Sequence, residues 1–377
     1  MKILKNITTT TMVMALLLVS SLEARETKKV SNFSGSNFVE SSGTFDGNRI
    51  YADVTNNGLF LDYHISGDSA LEWPKGTGVH SIFQSALWMG ATVNGQIRTI
   101  VGDYTQDMGP GPYGGDPLAA VHRIYKVNKS MLDDPASHDD FQNWPTDWGA
   151  PWVDADGDGV YTPLPAGPDH PEFIGDQVIW FVSNDGDIAY KLNFGTDPMG
   201  VEIQTTMFGY DRIDAIGDML FVKQLVINKG GDDLVDTYMG LWSDPDLGYA
   251  GDDFVGCNVD LGMGYVWNDG ADSQYDNLDI GTPAAGYDFF QGPKVPCDDP
   301  TDPVECPAQG AKMFGTYFPG EKNLKMSSFA FYINGDATYT DPSDETEGYY
   351  YLQGLRKDGS AYPTEIAGDL YDQKFCF

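Results

Sequence analysis

Glycine and proline interrupt this chain so often that long helices have little room to form. There are 44 glycines and 22 prolines among its 377 residues, whereas the two together make up about 12% of an average protein. Both disfavour helix interiors and favour turns. Because aromatic residues account for 13% of the chain, it has the apolar side chains that a folded core needs. We therefore expect a folded protein of strands joined by many turns.

The strand signals point to two packed sheets. Asn94 and Gly95 lie between two β-forming stretches, and this dipeptide favours the type I′ turn of a hairpin. Residues 178–182 form a continuous apolar run, which predicts a buried strand, while residues 201–206 alternate and predict a half-exposed one. Stacked sheets contain both kinds of strand. We predict a mainly β protein, an antiparallel β-sandwich with long loops rich in glycine, proline and aspartate.

Further strand signals occur along the chain, whereas helical signals are weak. The additional predicted strands lie in residues 59–65, 220–227, 238–242 and 329–333. For helix, the sequence offers only short segments such as residues 117–121, which have room for one or two turns.

The first 24 residues have the features of a secretory signal peptide. Lys2 and Lys5 precede an apolar run at residues 12–19, and Ala24 provides a small residue for cleavage. The run is too short to span a bilayer. These features predict a secreted or cell-surface protein with no membrane insertion after the signal is cleaved.

The rest of the chain is expected to form one large β-rich domain. Residues 25–45 are rich in serine, asparagine and glycine, and we interpret them as a flexible lead. The domain then covers residues 46–377. A stretch rich in proline and aspartate at residues 292–307 is either a domain boundary or a long excursion within the domain.

The strong negative charge restricts the partners of this protein. Lysine and arginine number 22 against 56 aspartates and glutamates, a net charge of −34. Such a chain repels nucleic-acid phosphates and anionic membrane surfaces. Cations are the partners that this charge favours.

Four cysteines in so long a chain do not form a disulfide scaffold. Cys297 and Cys306 bracket the acidic, proline-rich stretch, and in an oxidising compartment we predict that they pair. The chain-entropy model gives such a small ring roughly 2.5–3 kcal/mol of stabilisation. For Cys257 two alternatives stay open: pairing with Cys376, or burial as a small apolar residue.

One acidic loop resembles the first half of a calcium-binding loop. Carboxylates at alternate positions followed by Gly159 match the spacing that brings oxygen ligands around one ion. Magnesium, which needs a tighter octahedral geometry, fits less well. The predicted calcium ligands of this loop are the side chains of Asp154, Asp156 and Asp158 and the carbonyl of Val160.

The second half of this loop departs from the EF-hand pattern. Pro165 occupies the position of the bidentate glutamate, so a carboxylate further along the chain must complete the site. The candidates are Asp169, Glu172 and Asp176. The alternative is that the Asp-Gly repeats serve turn formation alone.

A second acidic group follows the strand predicted at 238–242. Its members are Asp244, Asp246, Asp252 and Asp253, and they either bind another metal ion or form a solvated acidic rim. Paired aspartates are also what a glycosidase uses. Among 56 acidic residues, however, such pairs are expected without catalysis.

Three tryptophans precede the calcium-type loop. Trp144, Trp148 and Trp152 lie on a segment that prolines keep from being helical. On an extended loop they offer flat faces for sugar rings. The alternative, which we favour, is that they anchor a long loop to the core.

A set of segments resembles a family of large secreted surface proteins from bacteria with a type IX secretion system. The segments are NWP at 143–145, GAPW at 149–152, the acidic loop at 154–161, GDQVIW at 175–180, DPMG at 197–200, GLWSDPDLG at 240–248, VGC at 255–257 and GLRKDG at 354–359. Together they extend over about residues 50–363. The resemblance implies export and a cell-surface or released location, but no activity.

That family carries a C-terminal sorting domain, which does not follow here. The last residues include Phe375 and Phe377 at alternate positions, as in the beginning of another strand. We therefore expect a longer exported protein of which this chain is a piece.

The function expected from the sequence is that of a secreted, calcium-stabilised surface protein for adhesion, glycan binding or structural display. Its partner would be a polysaccharide or a cell-surface glycan. One alternative is a secreted hydrolase that acts on polysaccharide through paired carboxylates. Another is a non-catalytic module that positions a partner enzyme.

Overall fold

A computed structural model of the protein describes residues 41–62, 69–333, 335–363, 365–366 and 369–370. The expected mainly β fold is confirmed, and every pairing between the strands described is antiparallel. The predicted signal peptide, most of the predicted lead and the last seven residues, including Cys376, lie outside the described residues.

In the described part of the chain, fourteen strands fall between residues 41 and 228. They are β1 (Ser42–Phe45), β2 (Tyr51–Thr55), β3 (Leu59–Leu61), β4 (Leu71–Glu72), β5 (His80–Ile82), β6 (Gln84–Val93), β7 (Gln96–Ile100), β8 (Gly109–Pro110), β9 (Tyr125–Asn128), β10 (Trp152–Val153), β11 (His170–Pro171), β12 (Gln177–Asn184), β13 (Val201–Gly209) and β14 (Phe221–Asn228).

The later strands are mostly shorter. They are β15 (Val235–Asp244), β16 (Phe254–Asn258), β17 (Met263–Trp267), β18 (Ala285–Asp288), β19 (Lys294–Pro296), β20 (Ala311–Met313), β21 (Thr316–Phe318), β22 (Glu321–Asn323), β23 (Glu365–Ile366) and β24 (Asp369–Leu370). The α-helices are α1 (Asp139–Gln142) and α2 (Glu345–Leu352). Short 3₁₀ turns occupy Lys129–Asp133, Pro135–Ser137, Thr146–Trp148, Ile188–Tyr190, Ala215–Asp218 and Tyr275–Leu278.

A five-stranded central sheet organises the molecule. Its order is β14–β13–β12–β8, and β9 also pairs with β12. The whole of β12 is buried, as its apolar run predicted. Ile179 and Phe181 join a core cluster on one face of the sheet, while Val178 and Trp180 join another on the opposite face. The central sheet is therefore covered on both sides.

A second sheet packs on one face of the central sheet and forms the sandwich. It consists of β15–β6–β3 with β7 paired to β6. Leu87 and Met89 of β6 share a buried cluster with Val201 and Ile203 of β13. The predicted β6–β7 hairpin is confirmed, because Asn94 and Gly95 have φ angles of 51° and 80°, as a type I′ turn requires.

The N-terminal sheet, β1–β2–β4–β5, covers the remainder of that face. Strand pairing begins at Ser42, so the prediction of a flexible lead as far as residue 45 was wrong for its last four residues. Phe45 is fully buried in the core cluster that includes Ile179. Burial of this side chain against the central sheet fixes the segment as a strand.

The opposite face of the central sheet lies under an outer layer formed mainly by residues 131–173. This layer corrects the prediction that β13 is half exposed. Glu202 is buried, its Oε2 accepts a hydrogen bond from the Tyr113 amide at 2.9 Å, and its Oε1 accepts one from Gln204 at 3.0 Å. The backbone of Gly149 lies so close to Gln204 that an added Cβ would be 2.4 Å from Oε1. Polar residues at alternate positions are thus satisfied by the covering loops.

The helix α2 was missed by the sequence prediction, which allowed only short helical segments such as residues 117–121; those residues form turns. The Asp344 carboxylate accepts the Glu347 amide at 2.9 Å, and the Glu347 side chain accepts the Ser343 amide at 2.7 Å. This reciprocal capping stabilises the first turn. The Asp-x-x-Glu spacing was therefore a usable signal.

Two predicted strands differ from the structure. Residues 329–333 contain only an isolated bridge at Phe329 instead of a strand. Phe331 and Tyr332 pack instead against the cluster of Tyr351 and Tyr362. The predicted strand at 59–65 is β3, which ends at Leu61, and residues 63–65 lie outside the described part of the chain. Aromatic content alone did not distinguish packing in a loop from packing in a sheet.

The acidic, proline-rich stretch lies in a segment whose two ends pair with each other. Strand β19 pairs with β22, and the Leu324 amide donates to the Pro293 carbonyl at 2.8 Å. Within it, Cys297 and Cys306 are joined by a disulfide with Cα atoms 5.6 Å apart. Cys257 is free and half-buried in β16. The disulfide closes the proline-rich stretch between the two cysteines into a small ring.

A non-reduced digest tests this cysteine arrangement. We expect one linked pair, Cys297 with Cys306, and labelling of Cys257 by a thiol reagent in the unfolded, unreduced protein. The short ring and the packing of Cys257 in a separate sheet give this result. A digest in which Cys297 is free, or is joined to Cys257, would contradict the arrangement.

Candidate metal centre

The acidic loop is wrapped around the carboxylate of Asp154. Its Oδ1 accepts the Gly157 amide at 2.7 Å, and its Oδ2 accepts the Gly159 amide at 2.9 Å. Both glycines have φ angles of 76°, in the left-handed region that favours glycine. The Asp-Gly repeat therefore forms a tight loop whose amides point inward.

Strand pairing brings a second carboxylate to the base of this loop. Val153 of β10 pairs with His170 of β11, which places Asp169 next to the loop entrance. Asp169 is fully buried. Its Oδ1 accepts the Ala155 amide at 3.0 Å, and its Oδ2 accepts the Thr162 amide at 2.7 Å. The side chain thus joins the two ends of the loop.

Three carboxylates meet here. One oxygen from each of Asp154, Asp156 and Asp169 lies within 4.8 Å of the other two. Within the described residues, this is the one cluster of at least three acidic, histidine or cysteine side chains with that spacing. Partial desolvation and the nearby carboxylates of Asp158, Asp169 and Asp154 raise the pKa of Asp156. Hard oxygen ligands that repel one another suit a divalent cation such as calcium.

The other predicted carboxylate ligands do not join this group. The Asp158 carboxylate turns back and accepts the Val160 amide at 2.7 Å. Asp176 accepts the Asp211 amide at 2.9 Å, beside β13. Glu172 also lies outside the cluster. Of the three candidates for the closing carboxylate, Asp169 is the one that the fold places at the loop.

The three tryptophans attach the loop to the core. Trp144 is 3% exposed, and its indole donates to the Pro151 carbonyl at 2.9 Å. Trp152 packs edge-to-face against Tyr161, with ring centroids 5.4 Å apart. Trp148 packs in the same way against His122. All three belong to, or pack against, the cluster that contains Trp180. Their arrangement favours the anchoring interpretation over a sugar-binding platform.

The second acidic group does not gather into a comparable cluster. Asp244 accepts the Tyr104 hydroxyl at 2.8 Å, and Asp253 accepts the Leu247 amide at 2.8 Å. Asp244, Asp246, Asp252 and Asp253 all lie outside the carboxylate cluster described above.

A fully buried carboxylate that the sequence analysis did not single out lies close to this group. Asp272 accepts three backbone amides, from Tyr249, Gln274 and Tyr275, at 2.7–2.8 Å. An aspartate that accepts the amide two residues further along, as Asp272 does from Gln274, is typical of an Asx-turn. This turn propensity was the only signal of Asp272 in the sequence. Asp272 organises the loop around it.

Stability in this region should depend on pH. Burial, with smaller contributions from Asp252 and Asp272, raises the pKa of Asp253 to about 6, from 3.8. Between about pH 4 and 6 the folded chain therefore binds the proton more tightly than the unfolded chain. The stabilising contribution of the protonated Asp253 is present below pH 4 and is lost as the pH rises through 6.

We expect Asp253→Asn to remove this dependence. In chelator, the melting temperature of the wild type should fall relative to that of the variant as the pH is raised from 4 to 6. Asp260→Asn, at an exposed position in the same region, serves as the matched control. Parallel pH profiles for the wild type and Asp253→Asn would contradict this role.

An open cavity near α2 does not provide paired carboxylates. Its volume is about 460 Å³, and its lining includes Phe194, Asp341 and Lys357. Asp341 is the one carboxylate in that lining. A glycosidase needs two across its cleft.

The fold and the loop together define the class: a mainly β protein with packed antiparallel sheets and a carboxylate-rich loop on its outer layer. No family model matches the chain, and neither a curated protein nor a solved structure matches it. Over the ranges that the structure describes, no helix combines the length and the apolar character needed to cross a bilayer.

Proposed function

We propose that this chain is a calcium-stabilised surface protein whose role is structural display or adhesion. The observation that carries the proposal is the convergence of Asp154, Asp156 and Asp169 on one point. Calcium bound there would neutralise their repulsion and hold the loop on the outer layer. The tryptophans beside the loop would transmit this restraint to the central sheet.

The environment of an exported protein suits such a site. Extracellular calcium sites bind with dissociation constants of about 10⁻⁴–10⁻³ M, which match the calcium available outside cells. The Cys297–Cys306 disulfide is also typical of an oxidising compartment. Export by a type IX system, as the sequence resemblance implies, is part of this proposal.

Adhesion and display account for these features better than hydrolysis does. The cavity near α2 has a single carboxylate in its lining. The tryptophans that could have formed a glycan platform pack on the core. A polysaccharide or cell-surface glycan remains the proposed partner, bound elsewhere on the surface. A glycan-array screen with and without calcium tests adhesion, and binding to no glycan would leave structural display as the function.

Thermal unfolding with calcium or chelator tests the site itself. At about 10 mM calcium, a site of this affinity stabilises the folded chain by about 1.4–2.7 kcal/mol by mass action. We expect the melting temperature to rise by a few degrees in calcium and to return to its lower value in chelator.

Two aspartates of the same loop form a matched pair of variants. Asp156→Asn removes a carboxylate of the cluster and should abolish the response to calcium, while Asp158→Asn lies outside the cluster and should retain it. If both variants respond as the wild type does, the acidic loop is a turn and the proposal fails.

A further inference from the structure

A lysine and two aspartates lie together in the core, remote from the acidic loop. The side chains of Lys191, Asp107 and Asp185 are 0%, 1% and 0% exposed. Lys191 Nζ is 3.5 Å from Asp107 Oδ2 and 3.9 Å from Asp185 Oδ2. Neither metal binding nor turn formation explains why a buried lysine ammonium lies between these two carboxyl groups.

Backbone groups hold all three side chains in place. The Val101 amide donates to Asp107 Oδ2 and the Asn193 amide to Asp107 Oδ1, each at 3.0 Å. The ammonium group of Lys191 donates to the Thr99 carbonyl. The Lys191 amine and the Asp107 carboxyl are therefore held in fixed positions next to each other.

Asp185 is the more strongly hydrogen-bonded acid. It accepts the Val201 amide at 2.6 Å and the Met199 amide at 2.8 Å. The two amide bonds of Asp107 are longer, at 3.0 Å each. Burial raises the pKa of Asp107, although Lys191 opposes the shift. Burial thus favours the protonated form of Asp107, and Asp107 Oδ2 is also the acid oxygen nearer to Lys191 Nζ.

We propose that Lys191 and Asp107 condense to an amide, an intramolecular cross-link between Nζ and Cγ. The Lys191 ammonium gives one proton to the Asp185 carboxylate. The neutral amine attacks Cγ of the protonated Asp107 carboxyl, and a C–N bond forms. The C–O bond to the hydroxyl breaks, and the hydroxyl leaves as water with a second proton from the nitrogen.

Surrounding groups assist each stage of this reaction. The Asn193 amide at Asp107 Oδ1 stabilises the negative charge that develops on that oxygen during the attack. The product leaves an amide and a neutral Asp185, so no charge stays in the core. A buried ion pair is costly to desolvate, and the reaction removes it. The cross-link joins the segment before β8 to the segment that follows β12, which suits a protein exposed on a surface.

Peptide mapping of the full-length protein, reduced and digested with trypsin, tests the bond. We expect the peptide that contains Asp107 to be joined to one that continues through an uncleaved Lys191, at the summed mass less one water. Lys126, which pairs with Asp46 at the surface at 2.5 Å, should be cleaved normally and is the internal control. Complete cleavage after Lys191, with the Asp107 peptide at its unmodified mass, would overturn the proposal.

Two variants separate the bond from an ordinary ion pair. Lys191→Arg keeps the positive charge but lacks the nucleophilic amine, so the linked peptide should disappear. Asp185→Ala removes the proton acceptor, and the linked fraction should fall by at least about tenfold, as expected for loss of a general base. An undiminished linked peptide in Asp185→Ala would overturn the role of Asp185. The wild-type map decides the bond even if a variant does not fold.

Discussion

Asp169→Ala is expected to lower the free energy of unfolding by about 3–5 kcal/mol in calcium. The variant loses a buried carboxylate that joins the two ends of the acidic loop, and it leaves the Ala155 and Thr162 amides without their acceptor. Each of these part-buried hydrogen bonds contributes about 1–1.5 kcal/mol. The loss of calcium binding accounts for the rest.

The two contributions can be separated by repeating the measurement in chelator. There the variant should still be destabilised, by about 2–3 kcal/mol, because the hydrogen bonds do not require the ion. Asp158→Ala, at an exposed position of the same loop, should change stability by less than about 1 kcal/mol. Chemical denaturation curves of the two variants provide the test. Equal stability of Asp169→Ala and the wild type in chelator would contradict the role of Asp169 at the base of the loop.

Trp180→Ala should lower the free energy of unfolding by as much as Asp169→Ala does, through the loss of packing alone. Trp180 is 1% exposed in β12, with β9 on one side and β13 on the other. It belongs to the cluster that connects the central sheet to Trp144 and the outer layer. Removing a buried tryptophan leaves a cavity and costs about 3–5 kcal/mol. Calcium affinity should also decrease, since the outer layer carries the acidic loop.

Trp267→Ala is the matched control for this substitution. Trp267 is 40% exposed and packs against Phe254 across β16 and β17, with ring centroids 5.2 Å apart. Loss of such an aromatic pair should cost no more than about 1.5 kcal/mol. If denaturation shows the two variants to be equally destabilised, the outer layer does not depend on the core cluster as described.

Local sequence signals predicted the fold where they were strong enough to determine structure by themselves. The Asn94-Gly95 turn and the apolar run of β12 are of this kind, because turn geometry and burial act within a few residues. The exposure of β13 was not predictable, since it depends on loops far away in sequence that cover Glu202. The aromatic run at 329–333 packs without a sheet for the same reason: its partners come from α2 and the segment that follows it.

The candidate site was predictable in part. The spacing of Asp154 and Asp156 around glycines determines a curled loop, and the sequence carries that information locally. The choice of Asp169 over Glu172 and Asp176 depends on the register of β10 against β11, which spacing does not reveal. Lys191, Asp107 and Asp185 had no local signal, because strand pairing in two sheets brings them together.

Calorimetric titration of the folded protein with calcium, at about 0.15 M salt, tests the central claim most directly, since screening at that salt weakens non-specific attraction to the acidic surface. We expect one site with a dissociation constant of about 10⁻⁴–10⁻³ M. We also expect weaker magnesium binding, loss of the site in Asp156→Asn and its retention in Asp158→Asn. A titration in which the wild type and Asp156→Asn give the same heats would contradict calcium binding at the acidic loop.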